Sequence, residues 1–173
     1  MSLRTLLLAI ATTACLAAPP AGAATWTHGK LCAVDRSYRT VPASELSSPL
    51  AYLTPVRCGD EEGTVWPAIC SAMEDRGTSF SVEGDFNGDG KPELAEAIVA
   101  RGATGTQFTG LIISDLDNPR KNQILLIPGD GFSALSKNET GFAWHVCARC
   151  ANPAPLPIVW KPELQEYRPD FSE

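Results

Sequence analysis

The pattern of apolar and polar positions divides the chain into a helical part followed by a strand-rich part. A first helix is predicted over 44–53, and it ends before Pro55, whose ring disfavours helix at the preceding residue. A second helix is predicted over 64–76, because Thr64 can cap its start and Gly77 its end. Apolar side chains recur along this second segment at the spacing of one helical face: Trp66, Ile69, Cys70 and Met73.

From residue 78 onward, short runs of apolar and β-branched residues alternate with turns. Most of the turns contain glycine, and such short connections favour antiparallel neighbours. The runs predicted as strands are 79–82, 94–100, 108–114, 123–127, 132–135, 142–147, 157–160 and 164–167. Two short N-terminal helices followed by an antiparallel β-meander sheet make the predicted fold class α+β.

The first 23 residues are typical of a secretory signal peptide. Arg4 precedes an apolar run over 6–16, and small residues lead to a cleavage position after Ala23. The run is too short for a membrane span, which needs about 20 apolar residues. An uncleaved anchor and a lipoprotein lipidated at Cys15 are the alternatives. Residues 24–173 then form a single globular domain of a secreted or periplasmic protein.

The charge balance limits the partners that the protein is expected to bind. The chain carries 14 basic and 20 acidic residues, so its formal net charge is −6. An acidic chain whose basic residues form no cluster is not expected to bind nucleic acid or an anionic membrane.

Cysteine usage fits the predicted export. One of the six cysteines lies in the predicted signal peptide, and the others are expected to form disulfides in an oxidising compartment. Several pairings are open to them, each with one thiol left over. The pairing predicted here joins Cys147 to Cys150 and Cys58 to Cys70, and it leaves Cys32 as a free thiol.

The segment HVCARC supports a different class of function as an alternative. Cys147 and Cys150 have the spacing of a redox-active pair, although the residues that follow them are not helical. With His145 they would supply three of the four ligands that zinc usually takes. A periplasmic thiol-redox or zinc protein is therefore the alternative prediction.

The segment 84–96, GDFNGDGKPELAE, carries the clearest chemistry in the sequence. It fits the pattern D-x-[DN]-x-[DN]-G-x5-E, which starts at Asp85 and ends at Glu96. Calcium is a hard cation that takes 6–8 oxygen ligands, and alternate residues on a tightly curled backbone bring their oxygens towards one centre. Gly90 permits the sharp turn, after which the carbonyl group of Lys91 can turn inward. A turn that binds no ion is the alternative.

The flanks of the loop resemble a strand–loop–strand unit rather than a helix–loop–helix module. VEGDFNGDGKPELAEAIV is similar to the FG-GAP or VCBS repeat of integrin-type β-propellers and exported bacterial proteins, here as a single copy. The resemblance implies a calcium loop at 85–93 between two strands. It implies these ligands: Asp85, Asn87, Asp89, the Lys91 carbonyl oxygen and Glu93. Glu93 stands where the family usually has Asp, and Glu96 is a ligand only under the twelve-position pattern.

No signature of a catalytic site accompanies the loop, so the sequence favours a non-enzymatic protein. We expect one structural calcium-binding loop in an exported protein that binds another protein or a component of the cell envelope.

Overall fold

The computed structural model describes residues 25–27, 30–48, 50–58, 66–118, 120–139, 141–148 and 154–171. Within these ranges the chain forms thirteen strands and two helices. The strands are β1 (Thr25–Thr27), β2 (Lys30–Cys32), β3 (Ser37–Tyr38), β4 (Val41–Pro42), β5 (Leu50–Pro55), β6 (Ser81–Gly84), β7 (Glu93–Gly102), β8 (Gln107–Asp115), β9 (Asn122–Pro128), β10 (Ala134–Asn138), β11 (Gly141–His145), β12 (Leu156–Lys161) and β13 (Glu166–Pro169). The helices are α1 (Ala43–Leu46) and α2 (Trp66–Glu74).

The predicted α+β class with two N-terminal helices is wrong, because the chain is mostly β, with 50% strand and 10% helix. The first predicted helix, over 44–53, accounts for much of the error. Only α1 is helical there, and Leu50–Pro55 is strand β5, which pairs with β7. Leu50 and Leu53 are buried in this pairing. Burial against a neighbouring strand therefore overrides the weak helical preference of a short apolar segment.

The second predicted helix is confirmed as α2. Cys70 and Met73 of its apolar stripe are buried, and Ile69 packs against the same cluster. The helix ends at Glu74 and is followed by Gly77, which has φ +66°, and the amide of Thr78 donates to the Met73 carbonyl at 2.9 Å. This glycine provides the left-handed C-terminal residue that the sequence predicted.

All eight strands predicted after residue 78 are present, but they form two sheets rather than one. The first sheet has the order β5-β7-β8-β9, with β6 also paired to β7. Strands β5 and β6 lie end to end along one edge of β7, since β5 pairs with residues 98–102 and β6 with residues 93–96. The second sheet has the order β10-β11-β12-β13. Every pair in both sheets is antiparallel.

The two sheets are joined at both edges. At one edge the backbones of Ser79 and Leu135 exchange two hydrogen bonds, of 2.8 and 2.7 Å. At the other edge the side-chain amide of Gln123 in β9 donates to the Tyr167 carbonyl and accepts from the Tyr167 amide. The Gln123 amide thus takes the place of a peptide group between β9 and β13. The apolar cluster between the sheets includes Leu111, Phe142 and Trp144.

Strand β7 is covered on both faces, which positions the two sites described below. Side chains of a strand alternate between faces. Ala97 and Val99 belong to the cluster that contains α2, whereas Ile98 and Ala100 belong to the cluster that contains Tyr38 of β3. Glu93 and Glu96 lie three positions apart on this strand and therefore face opposite sides of the sheet.

The disulfide prediction is confirmed for one pair and wrong for the free thiol. Cys58 and Cys70 are bonded, with their Cα atoms 5.8 Å apart. Cys32 is also disulfide-bonded, so it is not the leftover thiol. Cys147 is disulfide-bonded as well, but Cys150 lies outside the described residues, so their predicted pairing stays a prediction.

The predictions for the N-terminus also fall outside the described part of the chain. The signal peptide over 1–23 and Cys15 both lie there. Among the described residues, no helix is both long and apolar enough to cross a membrane.

Candidate metal centre

The predicted calcium loop connects β6 to β7 at one end of the first sheet. Gly84 and Glu93 pair with each other in the register of the two strands, so the ends of the loop are held together. A side chain at position 84 would clash with the ring of Phe86, because a Cβ atom there would lie 2.7 Å from that ring. Phe86 packs on Phe142 of the core, with ring centroids 4.7 Å apart, and so anchors the loop to the core.

The carboxylate of Asp85 organises the loop from within. Its Oδ1 accepts from the amides of Gly88 at 2.8 Å and Asp89 at 3.1 Å, and its Oδ2 accepts from the amide of Gly90 at 2.9 Å. Gly88 and Gly90 have φ of +76° and +86°, the left-handed region that favours glycine. The backbone therefore curls around the first predicted ligand.

Asn87 and Asp89 continue the same pattern. Asn87 Oδ1 accepts from the Asp89 amide at 2.8 Å, and Asp89 Oδ1 accepts from the Lys91 amide at 2.9 Å. These bonds orient the alternate side chains of the turn. The loop is thus held in its curled form by its own residues, and its aspartates stay exposed to solvent.

Glu93 closes the site from the first position of β7. It is only 4% exposed, and its carboxylate accepts from the Phe86 amide at 2.8 Å and from Asn87 Nδ2 at 2.6 Å. Burial raises the pKa of Glu93, and the nearby Asp89 and Asp85 charges act in the same direction. The pKa of Tyr167, in β13, is also raised, by burial first and then by the charge of Glu93.

The negative charge of the loop is not balanced by its own lysine. Lys91 is the basic residue within 85–93, and its Nζ lies 3.4 Å from Asp117 Oδ2 in the neighbouring β8–β9 turn. It therefore pairs with another loop rather than with the carboxylates at the centre.

The arrangement of the carboxylates fits a metal ion. Asp85, Asp89 and Glu93 each offer an oxygen, and these three atoms lie within 4.8 Å of one another. Calcium binds oxygens at about 2.3–2.6 Å, so two oxygens on one ion cannot be more than about 4.6–5.2 Å apart. This group could therefore hold a metal ion.

The structure separates Glu96 from this group. Its side chain lies on the other face of β7, where the Tyr38 hydroxyl donates to Glu96 Oε2 at 2.6 Å. Of the predicted ligands, the structure brings together the oxygens of Asp85, Asp89 and Glu93, whereas Asn87 contacts Glu93 through its Nδ2. The Lys91 carbonyl oxygen stays a predicted ligand.

The alternative zinc or thiol-redox site was predicted at His145, Cys147 and Cys150. His145 Nε2 lies 2.9 Å from the hydroxyl of Ser136, and burial lowers the pKa of this histidine. The sulfur of Cys147 is in a disulfide and is not a thiolate that could bind zinc in this state. Cys150 lies outside the described residues.

The sequence interpretation missed one set of polar residues. Tyr38, Glu96 and Ser114 form a buried hydrogen-bond network, although no local sequence motif marks any of the three. A signal was present in Glu96, a charged residue inside a run that is otherwise apolar, because such a residue needs a partner once the strand is buried.

Comparison of the chain with protein-family models, with curated proteins and with solved structures found no match. The resemblance of residues 82–99 to the FG-GAP or VCBS repeat therefore stays a prediction.

Proposed function

We propose that this is an exported, non-enzymatic binding protein that holds one calcium ion in loop 85–93 as a structural element. The observation that supports the ion is the convergence of the Asp85, Asp89 and Glu93 oxygens within 4.8 Å. The turn that brings them together is already formed by hydrogen bonds to the Asp85 carboxylate. Little rearrangement would accompany binding, since the ligands need not be gathered from an open chain.

The chemistry of the donors favours calcium over other ions. Carboxylate and amide oxygens suit calcium, magnesium and manganese, whereas zinc and copper prefer sites that include imidazole or thiolate. Magnesium demands a tighter octahedral arrangement and gives up its water reluctantly. A cavity of about 90 Å³ lies beside Asn87 and Glu93. Neither Asp85 nor Asp89 lines this cavity, and both are exposed, so water on the exposed side of the loop would complete the shell of 6–8 oxygens around calcium.

The bound ion would act on stability rather than on a reaction. It would neutralise the Glu93 carboxylate, which is buried at the start of β7, and the two exposed aspartates of the loop. Extracellular calcium modules have dissociation constants of about 10⁻⁴–10⁻³ M, and we expect this range here. At millimolar calcium and a constant near 10⁻⁴ M, mass action adds about 1.4 kcal/mol to the free energy of unfolding.

The metal part of the proposal is tested by thermal unfolding with and without calcium. The melting temperature of the wild-type chain should rise by a few degrees at several millimolar calcium, and less at the same concentration of magnesium. Asp89→Asn should abolish the rise. Asp75→Asn is the matched control, because Asp75 is exposed, lies after α2 and loses the same charge. An equal response of the two variants would mean that the loop holds no ion.

The binding role rests on the predicted export and on the absence of a catalytic signature in the sequence. It is tested by affinity capture from the native envelope with the mature protein, with and without a chelator. A partner retained by the wild-type chain in calcium, and lost from both Asp89→Asn and the chelated protein, would support a role for the ion in binding. Equal capture in all conditions would limit the ion to stability.

A further inference from the structure

A second polar site lies on the opposite face of the first sheet. It is a pocket of about 280 Å³ between the β3–β4 ribbon and the adjoining ends of β5 and β7. This volume is close to the lower end of the range for small-molecule sites, about 300–1,000 Å³. We call it the Glu96 pocket. Its polar and charged lining includes Asp35, Tyr38, Arg39, Arg57 and Glu96.

The floor of the pocket is the buried carboxylate of Glu96, one oxygen of which accepts a short hydrogen bond. Glu96 is 7% exposed, and its Oε2 accepts from the Tyr38 hydroxyl at 2.6 Å. The Ser114 hydroxyl lies 2.9 Å from the same phenolic oxygen. Because an ionised carboxylate only accepts hydrogen bonds, the Tyr38 proton points to Glu96, and Ser114 donates to Tyr38. Burial and then the Glu96 charge raise the pKa of Tyr38, so the phenol stays neutral beside the carboxylate.

The other carboxylate oxygen has no such donor among the described residues. The nearest cationic atom is Arg57 Nη2, at 3.8 Å from Glu96 Oε1, which is beyond hydrogen-bond distance. The Arg57 side chain is 63% exposed. This oxygen is not one of the buried side-chain atoms that lack a partner, so solvent in the pocket reaches it. A donor group of a ligand that enters the pocket could replace this solvent and bond to Oε1 directly.

The pocket also carries positive charge, beside the two acids Glu96 and Asp35. Arg39 and Arg57 both line it, and the Arg39 guanidinium lies 5.8 Å from the centre of the Tyr38 ring. Arg57 is the residue before Cys58, whose disulfide to Cys70 ties this segment to α2. Two acids, of which Glu96 is buried, and two guanidinium groups thus line a space the size of one small molecule.

From this arrangement we infer that the Glu96 pocket binds a small zwitterion of amino-acid size. Its ammonium group donates to Glu96 Oε1, and its carboxylate faces Arg39 and Arg57. A simple anion would be repelled by the Glu96 carboxylate, and a simple cation would be repelled by the guanidinium groups of Arg39 and Arg57. Only a molecule with both charges satisfies both ends of the pocket.

The test uses L-alanine as the zwitterionic probe and acetate and ethylammonium as its two halves. Binding to the full mature chain is followed by NMR chemical shifts as each compound is titrated. We expect saturable binding of L-alanine, and binding of either half that is weaker by at least about tenfold. No saturable shift with L-alanine, or equal affinity for acetate, would overturn the inference and leave the network as an anchor for the β3–β4 ribbon.

Variants separate the pocket from the calcium loop. Glu96→Gln keeps an acceptor for Tyr38 but removes the charge, and it should weaken L-alanine binding by at least about tenfold. Glu83→Gln is the control, because Glu83 is exposed on β6 and loses the same charge. If Glu96→Gln does not fold, Arg57→Gln at the exposed mouth replaces it, and unchanged binding by that variant would contradict the inference. The calcium response of loop 85–93 should be the same in all three variants, so the two proposals fail independently.

Discussion

The calcium-type loop and the Glu96 pocket are built in opposite ways from neighbouring parts of one strand. The hydrogen bonds of the loop join residues that are two to seven positions apart in sequence. The pocket depends on bonds from Tyr38 to Glu96 and to Ser114, which are 58 and 76 positions apart. A local site therefore leaves a readable motif in the sequence, whereas a site assembled by the fold leaves only scattered residues.

Two glutamates on β7 show how the same residue type takes two roles. Glu93 and Glu96 are both buried, at 4% and 7% exposure, but they face opposite sides of the sheet. Glu93 lies beside Asp85 and Asp89, in a group that could hold a metal ion. Glu96 already has a phenol on one oxygen and an arginine nearby. The difference comes from strand alternation, and it predicts that changes at one site leave the other intact.

Removal of the Cys58–Cys70 disulfide should give the largest effect. By the loop-closure model, a bridge between residues 12 apart stabilises by about 3 kcal/mol, so the double variant Cys58→Ser/Cys70→Ser should lose about this amount in urea unfolding. Because Arg57 precedes Cys58, L-alanine binding should weaken too, while the calcium response persists. Loss of the calcium response in a folded double variant would show that the two regions are coupled.

Tyr38→Phe should give the next largest effect. It removes the hydroxyl that donates to Glu96, so a buried carboxylate keeps no hydrogen bond within the described network. Hydrogen bonds to charged groups contribute about 1.5–3 kcal/mol, and a loss of about 2 kcal/mol is expected in urea unfolding. Tyr52→Phe is the control, since Tyr52 lies outside this network. A loss below about 0.5 kcal/mol for Tyr38→Phe would mean that water replaces the phenol.

Gly90→Ala tests whether the positive φ of this residue is required by the turn of the loop. Gly90 has φ +86°, and no other atom lies within 4 Å of a Cβ placed there. The expected loss of about 1–2 kcal/mol is therefore conformational rather than steric. Gly131→Ala is the control, because its Cβ would also meet no atom and its φ is not in the left-handed region. Equal stability of the two variants would contradict the strained turn.

The pH dependence of stability should report on Tyr38. Its pKa is raised in the folded protein, mainly by burial, so its contribution is fully present below the ordinary tyrosine value of about 10. Above that value the unfolded chain loses the proton first, and stability falls by up to about 1.4 kcal/mol per pH unit for each such group. Urea unfolding between pH 8 and 11 should show this decline, with a shallower slope in Tyr38→Phe. An unchanged slope would mean that Tyr38 titrates normally.

The sequence predicted the local features of the fold and missed those that depend on distant contacts. Helix α2 and the eight later strands follow from their own apolar patterns and turn residues. Strand β5 was misread as helix, because only its pairing with β7 makes it extended. The division into two sheets depends on contacts such as Gln123 with Tyr167, 44 residues apart, which no local pattern reveals.

The candidate sites follow the same rule. The turn at 85–93 and the convergence of Asp85, Asp89 and Glu93 could be predicted, because glycines and carboxylates at fixed spacing determine the turn. The exclusion of Glu96 from the loop could not, since it depends on Tyr38 approaching from another element. The free thiol was assigned wrongly to Cys32 for a similar reason, because disulfide pairing is set by proximity in the fold.

Titration calorimetry with calcium tests the central proposal most directly. The metal-free mature chain should bind one calcium ion with a dissociation constant of about 10⁻⁴–10⁻³ M. Asp85→Asn and Asp89→Asn should abolish the heat of binding, whereas Glu96→Gln should leave it unchanged. No heat of binding in the wild-type chain at several millimolar calcium would show that the loop is only an acidic turn.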